Sequence, residues 1–309
     1  MISGFMALIE IEKNSSGNRN QARLLLILAS ILWSTSGLFT RWLQGTFGIN
    51  EAIEIHPLQM AFFRVLFAAL GIAFFVRYRD MKFQKSMVPT ALSFAIMNAL
   101  FVTALALGTA ANAILLQYTS LVWFVLFSVC FLKEKPDRKV IQAIIPAILG
   151  ILVIVAGGWH AGEGVVILIA LGSGFTYALV IIGIRFQVNI AAAWVTFVNL
   201  SVAALLLLPF VILMPFPTSK QLIILFLFGF FQLGLPYMLT ARSLKVISPQ
   251  EAGILTLLEP ILNPIWAFMI APEKDMPTLS TWIGGVLLIS ALCWRYLPER
   301  NKVEIRNEG

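Results

Sequence analysis

Thr256, Glu259, Asn263 and Trp266 recur at spacings of i, i+3, i+7 and i+10, which places them on one stripe of a helix. Glu259 is the ionisable member and sits mid-run among apolar residues. A carboxyl group in such a run faces an interior, where it is either a proton or cation site or a hydrogen-bonded structural group. Pro260 and Pro264 remove two backbone donors from the same helix and free carbonyls beside that carboxyl. Arg64 is the basic counterpart, inside the run RVLFAAL. It either meets a substrate carboxylate or Glu259, or it snorkels and satisfies helix-end carbonyls near the outer end of its helix. A peripheral place for that helix favours the second reading.

A wider polar set surrounds these two. Trp33, Ser36 and Thr40 share a helix face, and Tyr177 holds a related place later in the chain. Asn98, Gln117, Tyr118, Asn199, Gln232 and Tyr237 complete it. Singly, each can be a packing residue or an interhelical hydrogen bond. Together they read as a small-molecule cavity, since aromatic walls with a few polar anchors are the usual lining and aromatic faces hold cations. The candidate substrate-binding residues are Trp33, Ser36, Asn98, Gln117, Tyr118, Tyr177, Gln232, Tyr237, Asn263 and Trp266.

The elements that position them are membrane helices. Of 309 residues, 59% are hydrophobic and only 12% charged, and the mean hydropathy is +0.89. A water-soluble surface needs more polar cover than that, so lipid is the solvent. Ten apolar runs reach the length of a spanning helix, at 22–43, 57–77, 87–107, 110–132, 140–157, 164–184, 191–214, 221–241, 251–271 and 279–297. Short connections leave no room for a soluble domain. The first 22 residues are too polar and interrupted for a cleaved leader.

The net charge of +7 belongs to the loops. With both termini cytoplasmic, 18 of the 22 Lys and Arg fall inside, while only Arg41, Lys220 and Lys274 fall outside and Arg64 lies within a span. That asymmetry satisfies the positive-inside rule and makes nucleic acid an unneeded partner. Cys130 and Cys293 lie in apolar runs, and His56 and His160 near loops, so neither a metal nor a cofactor is expected. P-loop, HExxH and GxSxG patterns are absent, which argues against an enzyme and against ATP-driven work.

The chain also repeats itself. Residues 112–135 align with 251–274 at an offset of 139, joining Ala113 to Ala252, Leu116 to Leu255 and Glu134 to Glu273. GILVIVA at 150–156 lies over GVLLISA at 285–291, and RVLFAAL at 64–70 over NLSVAAL at 199–205, both at 135. Ordered matches near one offset mark an internal repeat. A five-helix period makes the second half enter the membrane from the opposite side, an architecture of secondary transporters. The expected units are a cytoplasmic segment 1–22, repeats 23–157 and 158–297, and a cytoplasmic tail 298–309. Glu134 and Glu273 read as structural helix-end groups, and Gly150 and Gly285 as sites of close helix approach.

Over roughly 24–297 the pattern resembles the EamA family of the drug/metabolite transporter superfamily. The likeness rests on Ala252, Leu258-Glu259-Pro260, Pro264, Glu273, Glu134 and Phe62-Phe63-Arg64. It departs from the family where the fourth helix has Ser120-Leu121 in place of a proline. The resemblance implies an all-α membrane protein of ten transmembrane helices in two inverted five-helix repeats. Helices 1, 3, 4, 6, 8 and 9 would line a central cavity, with helices 5 and 10 peripheral. It implies a secondary transporter of the inner membrane, working by alternating access. The expected cargo is small metabolites, amino acids or related solutes, exported on the proton gradient or by exchange. The alternatives are an uptake permease for a nucleotide-like or cofactor metabolite, and a non-transport scaffold or enzyme. Expected partners are the solute, the bilayer and protons, for a monomer or a homodimer.

Overall fold

The computed structural model describes residues 19–46, 55–131, 133, 138–187, 189–244, 246–247 and 249–296. The tail 298–309, most of 1–22, and Glu134 lie outside the described residues. Those described form helices and their connections, with no strand among them.

Eight helices are long and apolar enough to cross a membrane: α1 Arg19–Gly45, α3 Met87–Leu107, α4 Ala110–Cys130, α5 Arg138–His160, α6 Gly164–Arg185, α7 Ala192–Val211, α8 Ser219–Thr240 and α9 Glu251–Ile270. Two shorter apolar helices, α2 Pro57–Ala73 and α10 Leu279–Arg295, complete the ten. α2 is 17 residues, about 26 Å at the α-helical rise. It ends four residues before the expected 77 because the chain unwinds into an exposed apolar turn at Phe74 and Phe75.

Local chemistry sets the starts. His56 caps α2 by accepting from Leu58 N, with Pro57 in the first turn and Gln59 closing a capping box. Thr218 and Gln221 do the same for α8, and Thr109 caps α4. α2, α7 and α8 pack around Phe228 and Leu200, whereas α4, α5, α6 and α10 pack around Ile114, Ile154 and Ile167.

α5 and α10 lie backbone to backbone. A Cβ on Gly150 would stand 2.6 Å from Gly284 O and 3.1 Å from Leu288 N. The glycine facing Gly150 is therefore Gly284, while Gly285 faces Leu115 of α4. No flexible side chain can yield at this contact, so Gly150→Val is expected to spread the pair and cost about 1–3 kcal/mol. Thermal melting in detergent checks this, and an unchanged midpoint would refute it.

Both helices that flank the centre are broken. Pro260 offers no N–H to Thr256 O and crowds that carbonyl, and α9 is interrupted at Leu257, whose N–H turns to Ile254 O at 3.1 Å. α4 is interrupted at Tyr118–Thr119 without a proline. Thr119 N bonds Leu116 O and Leu121 N bonds Tyr118 O, both at 3.1 Å and both three residues back. Tyr118 precedes Leu257 by 139 residues, the offset that aligns 112–135 with 251–274. Gly174 of α6 lies against the first break, where a Cβ would stand 2.8 Å from Leu116 O. Only a residue without a side chain lets that backbone approach the exposed carbonyls.

Candidate functional site

The broken segments of α4 and α9 face a cavity of about 880 Å³ at the middle of the bundle. That volume falls in the range of small-molecule sites. Trp33 of α1, Asn98 of α3, Gln117 and Tyr118 of α4, Tyr177 of α6, Tyr237 of α8 and Glu259 of α9 stand on its wall. These are the six helices the resemblance implied. Arg64 of α2 joins them, and Val140, Leu292 and Arg295 bring in α5 and α10. The cavity reaches Arg185 and Arg295, in the last turns of α6 and α10.

Aromatic edges give the wall its shape. Trp33 and Tyr237 meet edge to face with centroids 5.4 Å apart. Gln117 is fixed by donating Nε2 to Ser173 Oγ at 3.0 Å. Tyr118 Oη donates to Glu259 Oε2 at 3.4 Å, a long bond that spans the two breaks. Glu259 is the one carboxylate on the cavity wall among the described residues.

Four expected binding residues are off the wall: Ser36, Gln232, Asn263 and Trp266. The interruption at Leu257 does not account for this, since Glu259, on the wall, and Asn263 and Trp266, off it, all follow the break. Asn263 instead turns to α1. Its Nδ2 donates to Ser36 Oγ at 2.6 Å, and its Oδ1 accepts from Gly37 N at 3.2 Å. Trp266 Nε1 donates to Ser34 Oγ at 2.9 Å. α1 is interrupted at Thr35, two residues beyond Trp33, and Trp33 O accepts from Gln232 Nε2 at 2.9 Å. Gln232 lies in a widened π-helical stretch of α8, Phe230–Gly234. Wide turns of this kind re-aim a side chain.

Arg64 corrects the peripheral reading. It is only 5% exposed and reaches inward, not to helix-end carbonyls. Its Nε donates to Gln232 Oε1 at 2.9 Å and its Nη1 to Asn98 Oδ1 at 2.8 Å. The guanidinium carbon lies 5.8 Å from the Phe101 ring centroid and 5.1 Å from that of Phe228, in reach of cation–π attraction.

A second polar cluster, unforeseen in the sequence, sits at the opposite end of α1 from Arg19. Arg41 and Asp275, each 1% exposed, form a bidentate pair: Nε to Oδ2 at 2.5 Å and Nη2 to Oδ1 at 2.9 Å. Arg41 also donates to Leu105 O and Gly108 O, and Asp275 Oδ1 accepts from Ala110 N at 2.8 Å. Lys274 Nζ donates to Ala106 O at 2.8 Å. This cluster joins α1 and the segment after α9 to the turn between α3 and α4. Arg41 had been counted as an outer-loop charge, and its place two residues inside the expected span 22–43 was the available signal. Among the described residues, no three His, Cys, Asp or Glu side chains converge as a metal site.

The EamA-like transporter family matches residues 21–156 and, a second time, residues 164–296. An uncharacterized transporter of Archaeoglobus fulgidus is 23% identical over 273 residues, covering 87% of this chain and 95% of its own. The uncharacterized inner membrane transporter YicL of Salmonella typhimurium is 23% identical over 308 residues, covering 93% and 98%. One solved crystal structure superposes with a TM-score of 0.60 at 19% identity, covering 90% of this chain and 97% of that one.

Proposed function

This chain belongs to the EamA-like transporter family, and we propose that it carries small amphiphilic metabolites, amino acids or related solutes, out of the cell by alternating access. It is a multi-pass membrane transporter. The observation that carries the solute class is the central cavity of about 880 Å³, walled by Trp33, Tyr118, Tyr177 and Tyr237 with the amides of Asn98 and Gln117 between them. Such a lining suits a solute with one polar end and an apolar body.

The charge distribution supports a direction. With both termini cytoplasmic, the end of the bundle at Arg185 and Arg295 faces the cytoplasm, where the cavity takes up solute. The Arg41–Asp275 cluster then closes the outer end. An inverted relation between the halves 23–157 and 158–297 fits two interchangeable openings around one site. Glu259 is the candidate proton-carrying group, with Tyr118 as its hydrogen-bond partner. Among the described residues Arg64 is the one cavity-wall cation away from a helix end, which suits a singly charged acid better than a polyphosphate.

The test is counterflow in proteoliposomes, with purified protein and a panel of amino acids and related metabolites. Saturable exchange of at least one amino-acid-like solute is expected. Absence of exchange across that panel, with exchange of some other class, would overturn the proposed cargo.

A further inference from the structure

We propose that Arg64 is an anion anchor, held by neutral amides with no carboxylate in contact, so that the carboxylate of the transported solute completes it. This inference rests on the reading of the cavity as the solute site.

Arg64 is buried, yet among the described residues no carboxylate is hydrogen-bonded to or ion-paired with it, and Glu259 acts on it only at longer range. A buried cation normally recruits one, because desolvation of an unpaired charge is costly. Here the two acceptors are the side-chain oxygens of Gln232 and Asn98. Each amide is locked in that sense by its other end: Gln232 Nε2 donates to Trp33 O, and Asn98 Nδ2 to Ala61 O at 3.1 Å. Neither can flip without setting an NH₂ against the guanidinium.

The amides occupy Nε and Nη1. Nη2 has no hydrogen-bond partner among the described residues, and Arg64 borders the cavity. The rings of Phe101 and Phe228 confine the guanidinium on its flanks. The arrangement therefore fixes a planar donor group, leaves a donor facing the void and puts no carboxylate in contact with it. A planar carboxylate matches that geometry, since Arg pairs with carboxylates through parallel N–H donors. Gln232 is a positioning residue. It stays off the cavity wall and acts through Arg64.

The experiment is a thermal-shift titration of the purified full chain with the standard amino acids, their carboxamides and their decarboxylated amines. At least one acid is expected to raise the midpoint, with its amide and amine weaker by about tenfold or more. Arg64→Gln is expected to lose the acid response to a similar extent. Because that variant also removes two hydrogen bonds, Gln232→Glu is the second arm. It places a carboxylate against Nε and gives up the bond to Trp33 O, while the wall side chains stay as they are. Its ligand-free midpoint is expected to hold, the new charge pair offsetting the lost bond to Trp33 O, while its affinity for the acid falls about tenfold.

The proposal is overturned if amides or amines match the acids, if Arg64→Gln keeps the acid response, or if Gln232→Glu keeps full affinity. It is also overturned if no acid binds. The counterflow assay separates these failures from that of the cargo: acids exchanged equally by wild type and Arg64→Gln would sink the anchor alone.

Discussion

Arg41→Ala is expected to destabilise the protein by about 3–5 kcal/mol, the usual cost of removing one partner from a buried ion pair. The substitution strands Asp275, which is 1% exposed and keeps only the Ala110 N–H among the bonds seen here. It also strips Leu105 O and Gly108 O of a charged donor. Asp275→Asn should cost a similar amount, because Arg41 then loses the carboxylate of its bidentate pair. Replacing both, Arg41→Met with Asp275→Leu, should recover much of the loss, since neither half of the pair is then left buried without the other. Melting of the purified variants in detergent measures all three. Single variants that melt with the wild type would show that the pair contributes nothing to the fold.

Glu259→Gln is the second large effect. Gln keeps the shape and an oxygen that can accept from Tyr118 Oη, so the wall around it should persist. What it loses is the exchangeable proton. Accumulation driven by a pH gradient is expected to fall by about tenfold or more, the factor that 1.4 kcal/mol represents, while solute exchange without a gradient continues. Gradient-driven accumulation equal to wild type would remove Glu259 from coupling and leave the cavity as the solute site. The two proposals about charge are thus separable: Glu259 is read by the gradient and Arg64 by affinity.

Much of this architecture was legible because membrane helices write their limits in apolar length and in punctuation. The spans expected at 87–107, 164–184 and 251–271 match Met87–Leu107, Gly164–Arg185 and Glu251–Ile270 to within a residue. The break in α9 had a visible cause in Pro260. Its counterpart at Tyr118–Thr119 had none nearby in the chain, because the feature that accompanies it, Gly174, belongs to another helix. Only the 139-residue offset carried a trace of it. The site was legible as a set of polar residues inside apolar runs. Which of them line the void depended on contacts between distant helices, such as that of Ser36 with Asn263. Arg41 and Asp275 pair across 234 positions, and no local spacing announces such a contact.

The stitching of α1 to α9 has a mechanical meaning. At one end Arg19 and Arg23 bind Glu251, with Arg19 Nη2 2.7 Å from Oε2. Midway, Ser36 and Gly37 hold Asn263, and Ser34 holds Trp266. At the far end Arg41 grips Asp275. α1 lies in the first stretch of family likeness and α9 in the second. A hinge drawn along the duplication boundary would have to tear every one of these links at once. The links between α1 and α9 thus cross the boundary between the two family matches along the whole length of α1, so sequence repeat and side-chain bonding divide the same ten helices along different lines.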